Sequence, residues 1–282
     1  MIKIITDSTC DIPPELLEKH DITVVPAYVL WNNEQFLDRV TLTAEQFYAR
    51  IESDPLRPTT SQPTSADFSR AFAAAVENGA EEIICVTVSS AMSGTYQSAQ
   101  NAAKSAAVPV HVVDSKGPTM MVGWQALAAA RALEAGKSAQ EAVAAADQVR
   151  QNLVLVVGME TLTYLSKGGR IGDAIFWLGN TLSVKPLVFI NRQSGKVMPI
   201  ALHRTHKGLV EGLYHKFQTS LSSLKNLHVA VLHGNSPEEA QKLAQRIRED
   251  LSPLELIVQM TGPVLGINTG PGALALCGYA ES

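Results

Sequence analysis

Four β-branched runs in the first half of the chain are each followed by a stretch patterned as helix. "KIITDS" (3–8) precedes "PPELLEKH" (13–20), and "ITVVPAYVLW" (22–31) precedes "TAEQFYARI" (43–51). "EEIICVTV" (81–88) precedes "SGTYQSAQNAAKSA" (93–106), and "VPVHVVDS" (108–115) precedes two alanine-rich helices near 118–135 and 139–151. Strands that alternate with helices in this way pair in parallel, in a sheet covered on both faces. Ligand contacts are then expected beyond the carboxyl ends of the strands, at loops such as "TDS" and "VSSAMSGT".

Local signals mark the boundaries. Thr43 with Gln46, Ser138 with Glu141, and Thr64 with Asp67 supply helix caps; Pro13 and Pro14 sit where a helix start tolerates them. Pro26 marks an edge or a bend in its strand. "SDPLRPTTSQPTS" (53–65), with three prolines, is expected as loop.

After "LVLVVGMETL" the pattern changes. "YLSKGGRIG" (164–172) is a glycine-hinged loop, and "VKPLVFINRQSGKVMPIALH" (184–203) forms two antiparallel strands about "RQSG". A helix near 204–221, the strand "LHVAVLH", a helix capped by Ser236 with Glu239 and the strand "LELIVQMTG" follow. The last stretch, "GPVLGINTGPGALAL", is rich in glycine and proline. The expected fold class is α/β in two domains: a parallel-sheet α/β domain over 1–155 and a mixed-sheet α+β domain over 156–282. A length of 282 residues suits two such units.

Charge and composition exclude other classes. A net charge of −4 offers no basic field for nucleic acid. No apolar run is long enough for an integral membrane span, and "MIKIITDST" lacks the charged and apolar regions of a signal peptide. Cys10, Cys85 and Cys277 are scattered, as expected of buried thiols in a reducing, cytoplasmic setting.

"SSAMSGTYQSAQ" (89–100) supplies more hydroxyls than one helix cap needs. It lacks the first glycine of a G-x-S-x-G nucleophile elbow and the lysine of a phosphate loop. Two readings remain open at this point. Ser93 is simply a helix cap, or Ser93 with the amides of Gly94 and Thr95 forms a cup for an anion at a helix N-terminus. "TTSQPTS" is a second hydroxyl-rich loop able to close over that spot. With no lysine or arginine in either loop, a monoanionic carboxylate fits better than a phosphate.

Other residues carry weaker signals. His203 and His206 have a metal-compatible spacing but no third ligand, so no metal is expected. Asp7 and Asp11, beside Ser8, are acid–base candidates that equally suit turns. "KGGR" offers Arg170 to an anion or to solvent, and "GINTGPGA" (266–273) is a tight turn or a close approach to a ligand.

In order along the chain, "ITDSTCDIP", "TSQPT", "SSAMSGTYQSA", "VDSKGPTMMVGW", "LTYLSKGGRIG", "RTHKGL", "HGNSPEEA" and "NTGPGALAL" resemble the DegV family of bacterial fatty-acid-binding proteins. The resemblance runs nearly end to end. It implies a long-chain fatty acid held between and within the two domains, with its carboxylate at Thr60, Ser61, Ser93, Gly94 and Thr95. It further implies no cofactor and no catalysis by this chain alone. A separate ATP-binding fatty acid kinase subunit would phosphorylate the presented carboxylate, feeding phospholipid synthesis. Arg170, Arg204 and Asn268 are then expected near the head group or the kinase-facing surface. Asn268 stands where the family pattern commonly has histidine, and it carries no proton or charge near neutral pH.

Burial of a long acyl chain offers on the order of 10 kcal/mol gross, at about 0.8 kcal/mol per methylene. The competing reading is a self-sufficient enzyme, either a dihydroxyacetone-kinase-like phosphotransferase or a serine hydrolase using Ser93.

Overall fold

The computed structural model describes residues 1–177 and 184–281. The first half runs β1 (Ile2–Asp7), a 3₁₀ turn (Ser8–Cys10), α1 (Pro14–Lys19), β2 (Ile22–Val25), β3 (Tyr28–Trp31), β4 (Glu34–Leu37) and α2 (Ala44–Ile51). It continues through β5 (Thr59–Ser61), α3 (Ser65–Glu77), β6 (Glu82–Thr87), α4 (Thr95–Ala103), β7 (Val110–Asp114), α5 (Met120–Glu134) and α6 (Ala139–Asn152). The second half comprises β8 (Val154–Gly158), α7 (Thr163–Lys167), a 3₁₀ segment (Gly172–Trp177), β9 (Lys185–Ile190), β10 (Val197–His203) and α8 (His206–Ser220). It ends with β11 (Leu227–His233), α9 (Pro237–Leu251), β12 (Glu255–Met260), α10 (Pro263–Thr269) and β13 (Leu274–Ala280).

The α/β class is as expected. A four-stranded parallel sheet has the order β2-β1-β6-β7, and a six-stranded mixed sheet has the order β10-β9-β8-β13-β11-β12. Alternate residues of β1 and β6 face opposite layers, as the pleat requires. Ile5, Ile83 and Cys85 pack with Phe68 and Phe72 of α3 and with Ala99 and Ala102 of α4. Ile4, Ile84 and Val86 pack instead with Met120, Trp124 and Leu127 of α5.

The alanine-rich helices α5 and α6 lie between the two sheets. A single hydrophobic cluster joins Ile4 and Ile84 of the first sheet through α5 to Leu155, Val188, Ala230 and Cys277 of the second. Trp124 Nε1 donates to Cys277 O across this layer at 3.4 Å. Alanine suits a helix covered on both sides, because small side chains let two sheets approach one layer. The far face of the second sheet packs Val156, Val229 and Leu276 against Leu213 and Phe217 of α8 and Leu243 and Ile247 of α9. The layers therefore run helix, sheet, helix, sheet, helix. The expected division at 155/156 falls inside β8, whose residues from Val154 to Gly158 pair with β13.

Two expectations about the first half need correction. "ITVVPAYVLW" is two strands, not one: β2 joins the parallel sheet, while β3 enters a separate antiparallel sheet of order β4-β3-β5. Pro26 lies between them, where the missing N–H costs no ladder bond. "TTSQPTS" is not wholly loop, because Thr59–Ser61 is β5, paired to β3 with Thr60 opposite Val29. That small sheet, α2 and α10 share a core of Val29, Trp31, Phe47, Tyr48 and Ile267. "GPVLGINTGPGALAL" likewise contains α10 and the buried strand β13 rather than turns alone.

Of the expected caps, Thr43, Thr64 and Ser138 each form a reciprocal capping box. Ser236 does not cap α9 through its side chain. Its amide donates to His233 Nδ1 at 3.2 Å, and Glu239 turns away to His206 Nε2 at 2.7 Å. A tertiary contact with His206 has taken the residue the cap needed.

Candidate functional site

A cavity of about 860 Å³, counting its open mouth, lies where the two sheets and the small antiparallel sheet meet. Val88 and Thr9 bring to it the carboxyl ends of β6 and β1, as a parallel sheet should. One wall is apolar: Val157, Met159, Val188, Ile190 and Val197 come from β8, β9 and β10 and the segment just past β8. Polar groups gather elsewhere on the lining, from β5, the start of α4, Arg170 and α10. The tip of the β9–β10 hairpin rests on the first half of the chain, where Ser89 Oγ donates to Gly195 O at 3.1 Å.

Ser93 and Thr95 both line the cavity. The N-cap of α4 is Gly94, not Ser93. Ser93 Oγ still accepts the Thr95 N–H at 3.3 Å and shares a hydrogen bond with Thr95 Oγ1 at 2.8 Å. Ser93 is therefore not the cap residue itself, but its hydroxyl braces the first turn of α4 from a position in the cavity lining.

Thr60 and Ser61 line the same cavity with Gln62, a residue the motif reading had not singled out. Gly94 does not line it. Its Cα is covered by Gln62, whose side chain reaches past the glycine to donate to Ser98 Oγ at 3.2 Å. Close approach at Gly94 is made by a protein side chain, which no local pattern reveals.

Arg170 lines the cavity, although it is distant in sequence from both hydroxyl loops. The left-handed backbone at Gly169 (φ 72°) turns the chain just before it. Its Nε donates to Met92 O at 3.2 Å and its Nη1 to Gly168 O at 2.6 Å. Among the described residues no carboxylate pairs with it. Arg170, exposed and positioned by two carbonyls, thus adds a guanidinium to a lining that otherwise carries hydroxyls and amides.

Asn268 and Thr269 enter from α10. Asn268 Nδ2 donates to Val264 O at 2.8 Å, one turn back on its own helix. Its Oδ1 is buried against Gly168 without a hydrogen-bond partner. Arg204 is separate: it is exposed between β10 and α8 and does not line the cavity.

Asp7 and Asp11 do not line the cavity either. Asp7 is fully buried; burial pushes its carboxyl up, against the hydrogen bonds from Thr9 and Val88. Its Oδ1 accepts the Thr9 N–H and hydroxyl, and its Oδ2 accepts the Val88 N–H at 2.8 Å. The acid holds two lining residues, Thr9 and Val88, in place from behind the cavity wall. His206 Nδ1 shares a hydrogen bond with Glu160 Oε1 at 2.8 Å, and its Nε2 lies 2.7 Å from Glu239 without hydrogen-bond geometry. Among the described residues no group of side chains is arranged to hold a metal ion, and no described helix is long and apolar enough to cross a membrane.

This arrangement has parallels. A solved structure of a DegV family protein from Thermus thermophilus, described by its fatty acid binding, superposes with a TM-score of 0.92 at 30% identity, over 99% of each chain. DegV from Bacillus subtilis, described as a fatty acid binding protein, gives 0.91 at 27% identity over 99% of each chain. A stearic acid-binding protein from Eubacterium ventriosum gives 0.90 at 28% identity, over 99% of this chain and 98% of that one. In sequence, a DegV domain-containing protein of Streptomyces coelicolor is 34% identical over 98% of this chain and 97% of its own length. The family described as "Uncharacterised protein, DegV family" matches from residue 1 to residue 281, and with that span covered the chain belongs to the DegV family.

Proposed function

We propose that the chain binds a long-chain fatty acid, with its acyl tail along the β8–β9–β10 wall and its carboxylate among Ser93, Thr95, Thr60, Ser61 and Arg170. The observation that carries this reading is one cavity that joins an apolar wall to a hydroxyl-lined helix start and an unpaired guanidinium. A buried carboxylate must be hydrogen-bonded, and these donors provide that without a catalytic base. Gly94 contributes indirectly, by admitting Gln62. The fatty acid binding described for the relatives from T. thermophilus, B. subtilis and E. ventriosum supports the same ligand class.

The protein acts on this reading as a cytoplasmic substrate carrier without a cofactor. It presents the carboxylate to a separate ATP-binding kinase subunit, and the acyl phosphate passes to phospholipid synthesis. Arg204, exposed and outside the cavity, suits a partner-facing role better than head-group binding. A serine hydrolase is disfavoured because Ser93 Oγ pairs with Thr95 Oγ1 rather than with a histidine.

Solvent extraction of the purified protein followed by mass spectrometry should recover a long-chain fatty acid. Ser93→Ala should weaken binding about tenfold while costing the fold only about 1 kcal/mol. Failure to extract or bind any fatty acid would overturn the ligand. Acyl phosphate formed from ATP by this chain alone would overturn the carrier role.

A further inference from the structure

The second sheet forks. β8 and β9 pair at Val156↔Phe189, Val157↔Val188 and Gly158↔Leu187, and their pairing ends there. Past that point β8 stays with β13, where Val154 stands opposite Gly278. β9 stays with β10, where Ile190 stands opposite Val197. Leu155 and Ile190 therefore belong to two ribbons that part from each other.

A cleft of about 830 Å³, counting its open mouth, occupies the fork. Leu155 and Val156 are buried in it, Phe189 is half-buried, and Arg192, Lys216 and Ser220 add polar groups. Arg192 Nη1 donates to Leu153 O at 3.4 Å, so its side chain crosses from the β9 ribbon to the chain entering β8. Among the described residues, Ile190 alone lines both this cleft and the lipid cavity. It is buried, in the cluster between the two sheets, whereas Phe189 beside it packs toward α8.

We propose that Ile190 sets the upper limit of acyl-chain length: it closes the apolar side of the lipid cavity, and the cleft behind it is the path a longer tail would take. The proposal rests on the lipid reading above.

The lining says where the tail goes. β8, β9 and β10 contribute only apolar side chains to the cavity, while its polar groups come from other elements. Along β9 the wall passes from Val188 to Ile190, a step of about 7 Å. Each methylene that gains burial tightens binding about fourfold. A methylene pressed into a filled core gains nothing and strains its neighbours. Affinity should therefore climb with chain length until the tail reaches Ile190, then level off or fall. Ile190→Ala removes the partition and joins the two cavities, so the climb should continue; Ile190→Phe fills the end and should stop it earlier.

The test measures affinities of the full chain for saturated acids from dodecanoic to docosanoic, by competition with a fluorescent fatty acid. Wild type should gain about twofold to fourfold per methylene up to one length and nothing beyond it. Ile190→Ala should move that length up by about two carbons or more, and Ile190→Phe should move it down. Val157→Ala is the control, because Val157 lines the lipid cavity but not the cleft. It should leave the limit nearly in place. A docosanoic acid with a diazirine at its far end, photolysed in Ile190→Ala, should label Phe189, Lys216 or residues beside them.

An unmoved limit in Ile190→Ala overturns the proposal, as does an equal shift in Val157→Ala, which would make simple enlargement the cause. Labels confined to the lipid cavity overturn the path through the fork. If Ile190→Ala does not fold, Ile190→Val and Ile190→Phe should move the limit in opposite directions, and no movement in either overturns the proposal. If no acid of any length binds wild type, the lipid reading itself fails and the proposal with it.

Discussion

Gln62 lies directly over Gly94: a Cβ built on the glycine would stand 2.3 Å from Gln62 Oε1. The backbone at Gly94 (φ −74°, ψ 4°) accommodates alanine, so the conflict is with the side chain alone. Gly94→Ala should therefore displace Gln62 from Ser98 and into the cavity. Fatty acid affinity is expected to fall about fivefold or more, at a stability cost of about 1 kcal/mol. Removing the obstacle with Gln62→Ala should recover most of the loss. Titration of a fluorescent fatty acid against the four members of the cycle checks this; simply additive losses would show that Gln62 is not the obstacle.

Arg170 reaches the cavity with two of its donors committed to Met92 O and Gly168 O, which leaves the rest of the guanidinium for a ligand. Arg170→Ala should weaken carboxylate binding about tenfold or more and leave binding of a fatty alcohol of equal length nearly unchanged. Arg170→Lys should recover only part of the loss, because a point charge lacks the fork that holds both carbonyls and the ligand. Equal losses for acid and alcohol would assign Arg170 a packing role instead.

How much of this was legible in the sequence depends on range. The boxes at Thr43, Thr64 and Ser138 lie within four residues and were readable as written, as was the antiparallel pair about "RQSG". Pro26 signalled a bend, but that β2 and β3 enter different sheets depends on partners far along the chain. β5 was hidden for the same reason: its strand character comes from pairing with β3, not from its own proline-rich sequence. The serine and threonine pairs of the cavity were visible because hydroxyls cluster locally. The "KGGR" turn offers Arg170 without saying to what, and nothing local marks Gln62, since their proximity to Ser93 and Gly94 is created by tertiary packing. As a partition Ile190 carried no local sign at all; only the parting of β8 from β9 gives it that role.

Asp11 and Arg39 form a buried ion pair whose carboxylate is fully covered. The acid also receives the Thr119 hydroxyl and the Gly262 amide, tying together the 3₁₀ turn, the loop before α5 and the start of α10. Asp11, Arg39 and Thr119 all adopt left-handed φ (48°, 63° and 53°), unusual for residues with side chains and most costly for a β-branched one. Such a conformation persists where surrounding contacts over-determine it. Removing one partner by Arg39→Ala leaves an uncompensated buried charge and should cost about 3–5 kcal/mol in urea unfolding at pH 7. The double variant Asp11→Asn, Arg39→Met should be less destabilised than Arg39→Ala alone. A loss below about 1 kcal/mol for Arg39→Ala would mean the pair is solvated and unimportant.

Glu255 on β12 joins the middle helical layer to the second sheet. Its carboxylate receives Arg131 Nη2 of α5 at 2.9 Å on each oxygen and pairs with His228 Nδ1 at 2.8 Å. Burial opposes its ionisation, but the His228 hydrogen bond and then the Arg131 charge outweigh it, so its carboxyl lies below the ordinary 4.5. An acid lowered in the folded state stabilises above its unfolded value, and that contribution disappears as pH falls through the folded one. Glu255→Gln should therefore lower the melting temperature at pH 7, and the gap from wild type should close as pH falls below the ordinary 4.5 and through the lowered folded value. Thermal melts of both proteins across that range give the result directly. A gap that persists unchanged at the acid end would show that Glu255 acts through packing rather than through its charge.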